Sequence, residues 1–188
     1  MNPPQFIPTF VLKKKLRFQA GSASTYVLTT KSFGDLWCVA ATATSAYQLA
    51  SHVRLKKIEV WAPMAADLVP VSVVLDWTGS SSAGSFGKSN RVSDTSMSSV
   101  AAAHIASKPP AESQISQWQD ANSTNELCRL TLPGGAVIDV TYDLALRDNA
   151  AAQTVSAAVA GATVGANYIR ALDNQTGLSL TPVGYSTI

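Results

Sequence analysis

The chain has 188 residues, 14 Lys and Arg against 12 Asp and Glu for a formal net charge of +2, and it is 46 % hydrophobic but only 14 % charged. That length is read as one domain, residues 1–188, and excludes the need for a second core. The charged fraction is about half the usual one, so either sister copies cover part of the surface or the chain is a Ser/Thr-rich extracellular β-domain.

Residues 1–12 hold three prolines and no charge, which predicts an extended N-terminal arm. The start lacks the charged region and apolar core of a secretory signal. Lys13, Lys14, Lys15 and Arg17 follow, and alternation through Leu16, Phe18 and Ala20 into 24–30 predicts one long first strand, kinked at Gly21. Ser32-Phe-Gly-Asp35 has the spacing of a capping box and predicts a short helix over 35–40. Val53 and Leu55 share one parity, Ile58 and Val60 the other, so a bulge at Lys56-Lys57 is needed to keep all four inward. Residues 69–77 alternate as a strand with Pro70 near its start, and 79–87 form a Gly/Ser-rich loop.

Shorter strands fit 91–97 and 101–107, and 111–119 allows one or two helical turns with Ile115 and Trp118 on one side. A strand over 127–132 leads into Pro133-Gly-Gly135, a corner that can close a hairpin or carry the chain between two sheets. The next stretch, 136–147, has the most regular pattern in the chain. Ala136, Ile138, Val140, Tyr142, Leu144 and Leu146 fall on one parity and a mostly polar set on the other, which describes a long strand with one buried face. Residues 149–165 are a small-residue loop, and strands over 166–172 and 178–183 end the chain. The apolar run 155–166 is too short to span a bilayer, so no membrane insertion is expected. About eight principal strands with only short helices in loops predict an all-β, two-sheet sandwich.

Taken in order, several segments resemble the single jelly-roll capsid proteins of circular, Rep-encoding single-stranded DNA (CRESS DNA) viruses. They are Lys15-Leu-Arg-Phe18, the pieces 53–61 and 71–77, Arg91-Val-Ser-Asp-Thr-Ser-Met97, Lys108-Pro-Pro110, the piece 138–148 and the ending Pro182-Val-Gly-Tyr185. The resemblance implies an eight-stranded antiparallel jelly roll with sheets BIDG and CHEF. Strand B would be 14–30, C 53–61, D 69–77, H 136–147 and I 166–172, with C beside H. On that arrangement the outward Arg54, Lys57 and Glu59 meet Asp139, Asp143 and Arg147.

The resemblance further implies a virion protein, assembled in the host nucleus or cytoplasm, whose partners are its own copies, about sixty to an icosahedral shell, and packaged single-stranded DNA. It singles out no host receptor or glycan. Nucleic acid would be met weakly and without sequence preference through Lys13, Lys14, Lys15 and Arg17; a solvated charge run is the plain alternative. The family's long basic arm is not matched, since sixty copies at +2 carry only about +120 against one negative charge per nucleotide. An arm outside this sequence, neutralisation by cations, or an empty shell would each account for that. A lectin-like jelly-roll module using tryptophans on glycans is the rival reading, and loops 78–90 and 149–165 with the arm are candidate inter-subunit surfaces.

No enzyme is expected. Gly87-Lys-Ser89 lacks the earlier glycine of a phosphate loop, and Asp94-Thr-Ser96 lacks the glycine and second copy of an aspartic protease. His52 and His104 have no ligand or triad spacing, so neither cofactor nor metal is expected, although outward Asp139 or Asp143 could take a divalent ion between subunits. Trp37, Trp61, Trp77 and Trp118 read as core or interface anchors. Cys38 and Cys128, far apart in apolar surroundings, read as buried free thiols.

Overall fold

A computed structural model describes residues 10–64, 69–78, 86–147, 155, 160–173 and 179–185. The elements are β1 (Val11–Ala20), β2 (Ser24–Thr29), α1 (Thr30–Gly34), β3 (Trp37–Ala40), β4 (Ala46–Gln48), β5 (Ala50–Trp61), β6 (Val71–Trp77) and β7 (Asn90–Ser96). After these come β8 (His104–Ser107), a 3-10 turn (Gln114–Ser116), β9 (Gln119–Asp120), β10 (Glu126–Leu132), β11 (Val137–Leu146), β12 (Asn167–Ile169) and β13 (Leu180–Pro182). Most of the extended arm, residues 79–85 of the loop expected over 79–87, and residues 149–154 and 156–159 of the loop expected over 149–165 lie outside the described residues.

Every ladder is antiparallel. One sheet runs β13-β1-β11-β5-β8 with β9 also on β5, a second runs β2-β10-β6-β7, and a small third runs β12-β3-β4. Lettered in chain order from B to I, the strands β1, β2, β5, β6, β7, β8, β10 and β11 give BIDG in the first sheet and CHEF in the second. This is the expected eight-stranded jelly-roll sandwich.

The letters fall on different segments from those expected. Residues 14–30 are two strands, because the chain turns at 21–23 and crosses to the other sheet. Gly21 N donates to Ser179 O, and the Tyr26 hydroxyl donates to Ser22 O across the bend. That split moves every later letter by one. The segment 53–61 is D and 136–147 is I; these two are neighbours, as expected, but in the same sheet as B. Residues 166–172 supply only β12, on the small sheet. The corner at 133–135, with Gly135 at φ +81°, carries the chain from β10 in one sheet to β11 in the other, so it is not a hairpin.

The bulge in β5 is where the parity required it. Thr141 is registered to Lys57 and Tyr142 to Leu55, leaving Lys56 as the extra residue, and Val53, Leu55, Ile58 and Val60 are all buried. The helix lies five residues earlier than expected. Thr29 is its N-cap, with the Thr29 hydroxyl accepting from Ser32 N and the Ser32 hydroxyl from Thr29 N, and Trp37–Ala40 is a strand.

One hydrophobic cluster fills the space between the sheets. Leu16, Phe18, Ile58, Ile138, Val140 and Tyr142 enter it from the first sheet, and Leu28, Leu75, Trp77 and Leu130 from the second. Both cysteines are buried free thiols, as expected. Among the described residues no helix is long and apolar enough to cross a membrane.

Candidate nucleic-acid interface

Alternation along β1 places Lys13, Lys15 and Arg17 on the outer face of the first sheet and Leu12, Lys14, Leu16 and Phe18 on the inner one. The four basic residues therefore do not form one patch. Lys14 is half-buried, with its ammonium 4.6 Å from the centre of the Trp37 ring.

The outer residues meet the strand that crosses the middle of the sheet. Arg17 is registered to Asp139 and Asp139 to Glu59; Lys13 is registered to Asp143 and Asp143 to Arg54. Arg17 grips Asp139 through two bonds, Nε to Oδ1 at 2.6 Å and Nη2 to Oδ2 at 2.8 Å. Lys15 adds contacts to Asp139 at 3.0 Å and to Glu59 at 3.3 Å, and Lys57 reaches Glu59 at 2.6 Å. Asp139 is thus nearly fully covered, although its face of the sheet was expected to be open. The Arg17 guanidinium, helped by Lys15 and opposed by burial, holds the Asp139 carboxyl below its ordinary range, and Lys57 does the same for Glu59.

Arg54 stands opposite Asp143 as expected, but the ion pair to Asp143 comes from the bulge residue Lys56 at 3.3 Å. Arg54 Nε instead donates to Ser116 O at 2.9 Å. Both aspartates considered for a divalent ion thus already hold cationic side chains. Among the described residues no three His, Cys, Asp or Glu are grouped to hold a metal.

The same face carries an aromatic row whose members are too far apart in the chain for spacing to join them. His104 stacks on Trp61 with centroids 5.0 Å apart, and the Arg17 guanidinium lies 5.8 Å from the centre of the Trp61 ring. Trp77 is core, donating Nε1–H to the Ser107 hydroxyl at 2.9 Å, whereas Trp118 is 39 % exposed. Asp94 is structural, accepting from His104 N at 2.8 Å and so tying the start of β8 to β7. Gly87-Lys-Ser89 leads directly into β7, not into a helix.

A second exposed feature lies at one end of the sandwich. The chain leaves β5 after Trp61 and re-enters at β6, and it leaves β7 after Ser96 and re-enters at β8. The pairings Trp61 with His104 and Val71 with Ser96 put both connections at the same end. Met64, Val69, Met97 and Val100 are exposed there, Val100 at 84 %. Isolated apolar residues in connections carry no periodicity, so no sequence signal marks them.

No known family model matches the sequence, and no curated protein is similar to it. Solved structures are similar in fold. The virus-like particle of the extra small virus of the giant freshwater prawn Macrobrachium rosenbergii, determined by cryo-EM, has a subunit that superposes with a TM-score of 0.51 at 16 % identity, over 79 % of this chain and 86 % of that one. A structure of Desmodium yellow mottle tymovirus aligns over 80 % of this chain and 96 % of that one at 14 % identity, with a TM-score of 0.40. At such identities it is the fold that is shared, and the first superposition agrees with the jelly roll read from the strand order.

Proposed function

We propose that this chain is a viral capsid protein, a jelly-roll subunit that assembles with its own copies into a small icosahedral shell of about sixty around single-stranded DNA. The observation that carries this reading is the BIDG/CHEF sandwich itself, a fold shared over most of the chain with the subunit of a virus-like particle. The sparse charge and the apolar end of the sandwich support self-association, because closed symmetric assembly repeats one such contact many times. Single-stranded DNA as cargo, and assembly in the nucleus or cytoplasm, rest on the ordered sequence resemblance alone.

Lys13, Lys14, Lys15 and Arg17 remain the proposed nucleic-acid contact of the first strand, with unequal weight. Lys15 and Arg17 are committed to Asp139, whereas Lys13 is exposed and has no ion pair among the described residues. Size-exclusion chromatography and negative-stain microscopy of the purified protein test the shell. Uniform closed particles are expected, and a stable dispersed monomer in native buffer overturns the reading. Nuclease digestion of nucleic acid released from the particles tests the cargo: material cut by ribonuclease and untouched by deoxyribonuclease overturns the DNA assignment.

A further inference from the structure

We infer that the groove between the β5 bulge and the segment after β8 is a binding site for single-stranded nucleic acid, taking phosphate on Arg54, Lys56 and Lys108 and stacking a base on Trp118. The inference rests on the capsid reading only for the source of the ligand. The groove is an open depression of about 260 Å³ whose walls include Arg54, Lys56, Lys108, Pro109, Ser116 and Gln117. Three of these six side chains are cationic and none is acidic.

Each cation arrives there for a structural reason. Lys56 is the extra residue of the bulge, so it is displaced from the strict alternation that commits Lys57 to Glu59. Its partner Asp143 sits beneath it at 3.3 Å and is nearly covered, which leaves the outer side of the ammonium to solvent. Arg54 is fixed through Nε to Ser116 O, an orientation that leaves its terminal nitrogens for a second acceptor. Lys108 is exposed and has no ion pair among the described residues. Lys13 lies on the same sheet face, across Asp143 from Arg54, so the basic surface continues from the groove to the start of β1.

Trp118 makes the ligand class more specific than a polyanion. It lies between Gln117, a residue of the groove wall, and Gln119, which is registered to Val53 next to Arg54 in the chain, so Trp118 borders the groove. An exposed indole next to a cationic track suits a strand whose bases are free to stack and whose phosphates lie alongside. A duplex keeps its base faces covered and could use only the charges.

The test compares the wild-type protein with K56Q/K108Q, W118A and W118F. Unassembled protein is titrated with labelled oligothymidylate over a salt series by fluorescence anisotropy, and particles are assayed for nuclease-protected nucleic acid. K56Q/K108Q is expected to bind about tenfold more weakly, with the log–log salt slope reduced by about 1.4, two phosphate contacts' worth. W118A is expected to lose about fivefold or more with the slope unchanged, and W118F to recover most of it. Binding by W118A equal to the wild type would show that the site reads charge alone and would overturn the single-strand assignment. Wild-type binding by K56Q/K108Q, or no binding by the wild type, would overturn the site altogether. Failure to form particles would leave this result untouched and bear only on the shell.

Discussion

Asp139 shows how one buried charge is tolerated in the middle of a sheet. Its neighbours Arg17 and Lys15 keep roughly half of their side chains in water, so the carboxylate is satisfied without desolvating its partners to the same degree. Because the folded-state pKa lies below the unfolded one, the contribution of this group is present above the unfolded value of about 3.9 and is lost as pH falls through the lower folded value. The D139N variant is therefore expected to melt about 2–4 °C below the wild type at pH 7, with the two melting curves converging below about pH 4. A gap that persisted at acid pH would show that the carboxylate charge is not what matters. The thiols give a second expectation: burial pushes Cys38 up to about 11 and Cys128 higher still. Neither should react with a disulfide reagent at pH 8 in the native protein, and both should react within the dead time once it is unfolded.

At the scale of elements, what could be read from the sequence was whatever is written in local periodicity. The bulge at Lys56 was legible because four apolar residues had to share one face, and deleting Lys56 is expected to turn Val53 and Leu55 outward and abolish soluble protein. The helix was misplaced for an equally local reason. Ser32 and Asp35 have the spacing of a hydroxyl and a carboxylate across a first turn, yet the cap is made by two hydroxyls, Thr29 and Ser32. The far end of α1 is set by packing. A Cβ on Gly34 would fall inside contact distance of Gln48 and of the Ala121 carbonyl oxygen, so the helix end can lie only where no side chain stands. G34A is expected to cost about 1–3 kcal/mol by denaturant titration, although its backbone angles suit alanine. The ion network on the outer face was legible only in part: the resemblance set Arg54 opposite Asp143, but no sequence pattern says that Arg17 will lie opposite Asp139, 122 residues away. The basic groove was hidden for the same reason, its cations coming from two separate segments.

For the whole molecule, the crossing between sheets decides the topology, and it occurs at two inconspicuous corners, 21–23 and 133–135. Alternation continues almost unbroken through the first, which is why 14–30 reads as one strand and why the lettering slips. The consequence of the true order is that the connections after β5 and after β7 emerge together and present Met64, Val69, Met97 and Val100 to solvent. If the shell is built through this end, a charge there should prevent assembly while leaving the subunit intact. Val100 is the best position, since at 84 % exposure it contributes almost nothing to the core. V100D is expected to elute as a small species at concentrations where the wild type forms particles, with an unchanged circular dichroism spectrum and a melting temperature within about 2 °C of the unassembled wild-type subunit. Replacing Val27, an exposed residue on β2 away from that end, with Asp should leave assembly as it was. Particles from V100D indistinguishable from the wild type would move the contact elsewhere on the sandwich, and assembly lost equally in both variants would mean that the charge of the whole surface, not this end of the fold, controls association.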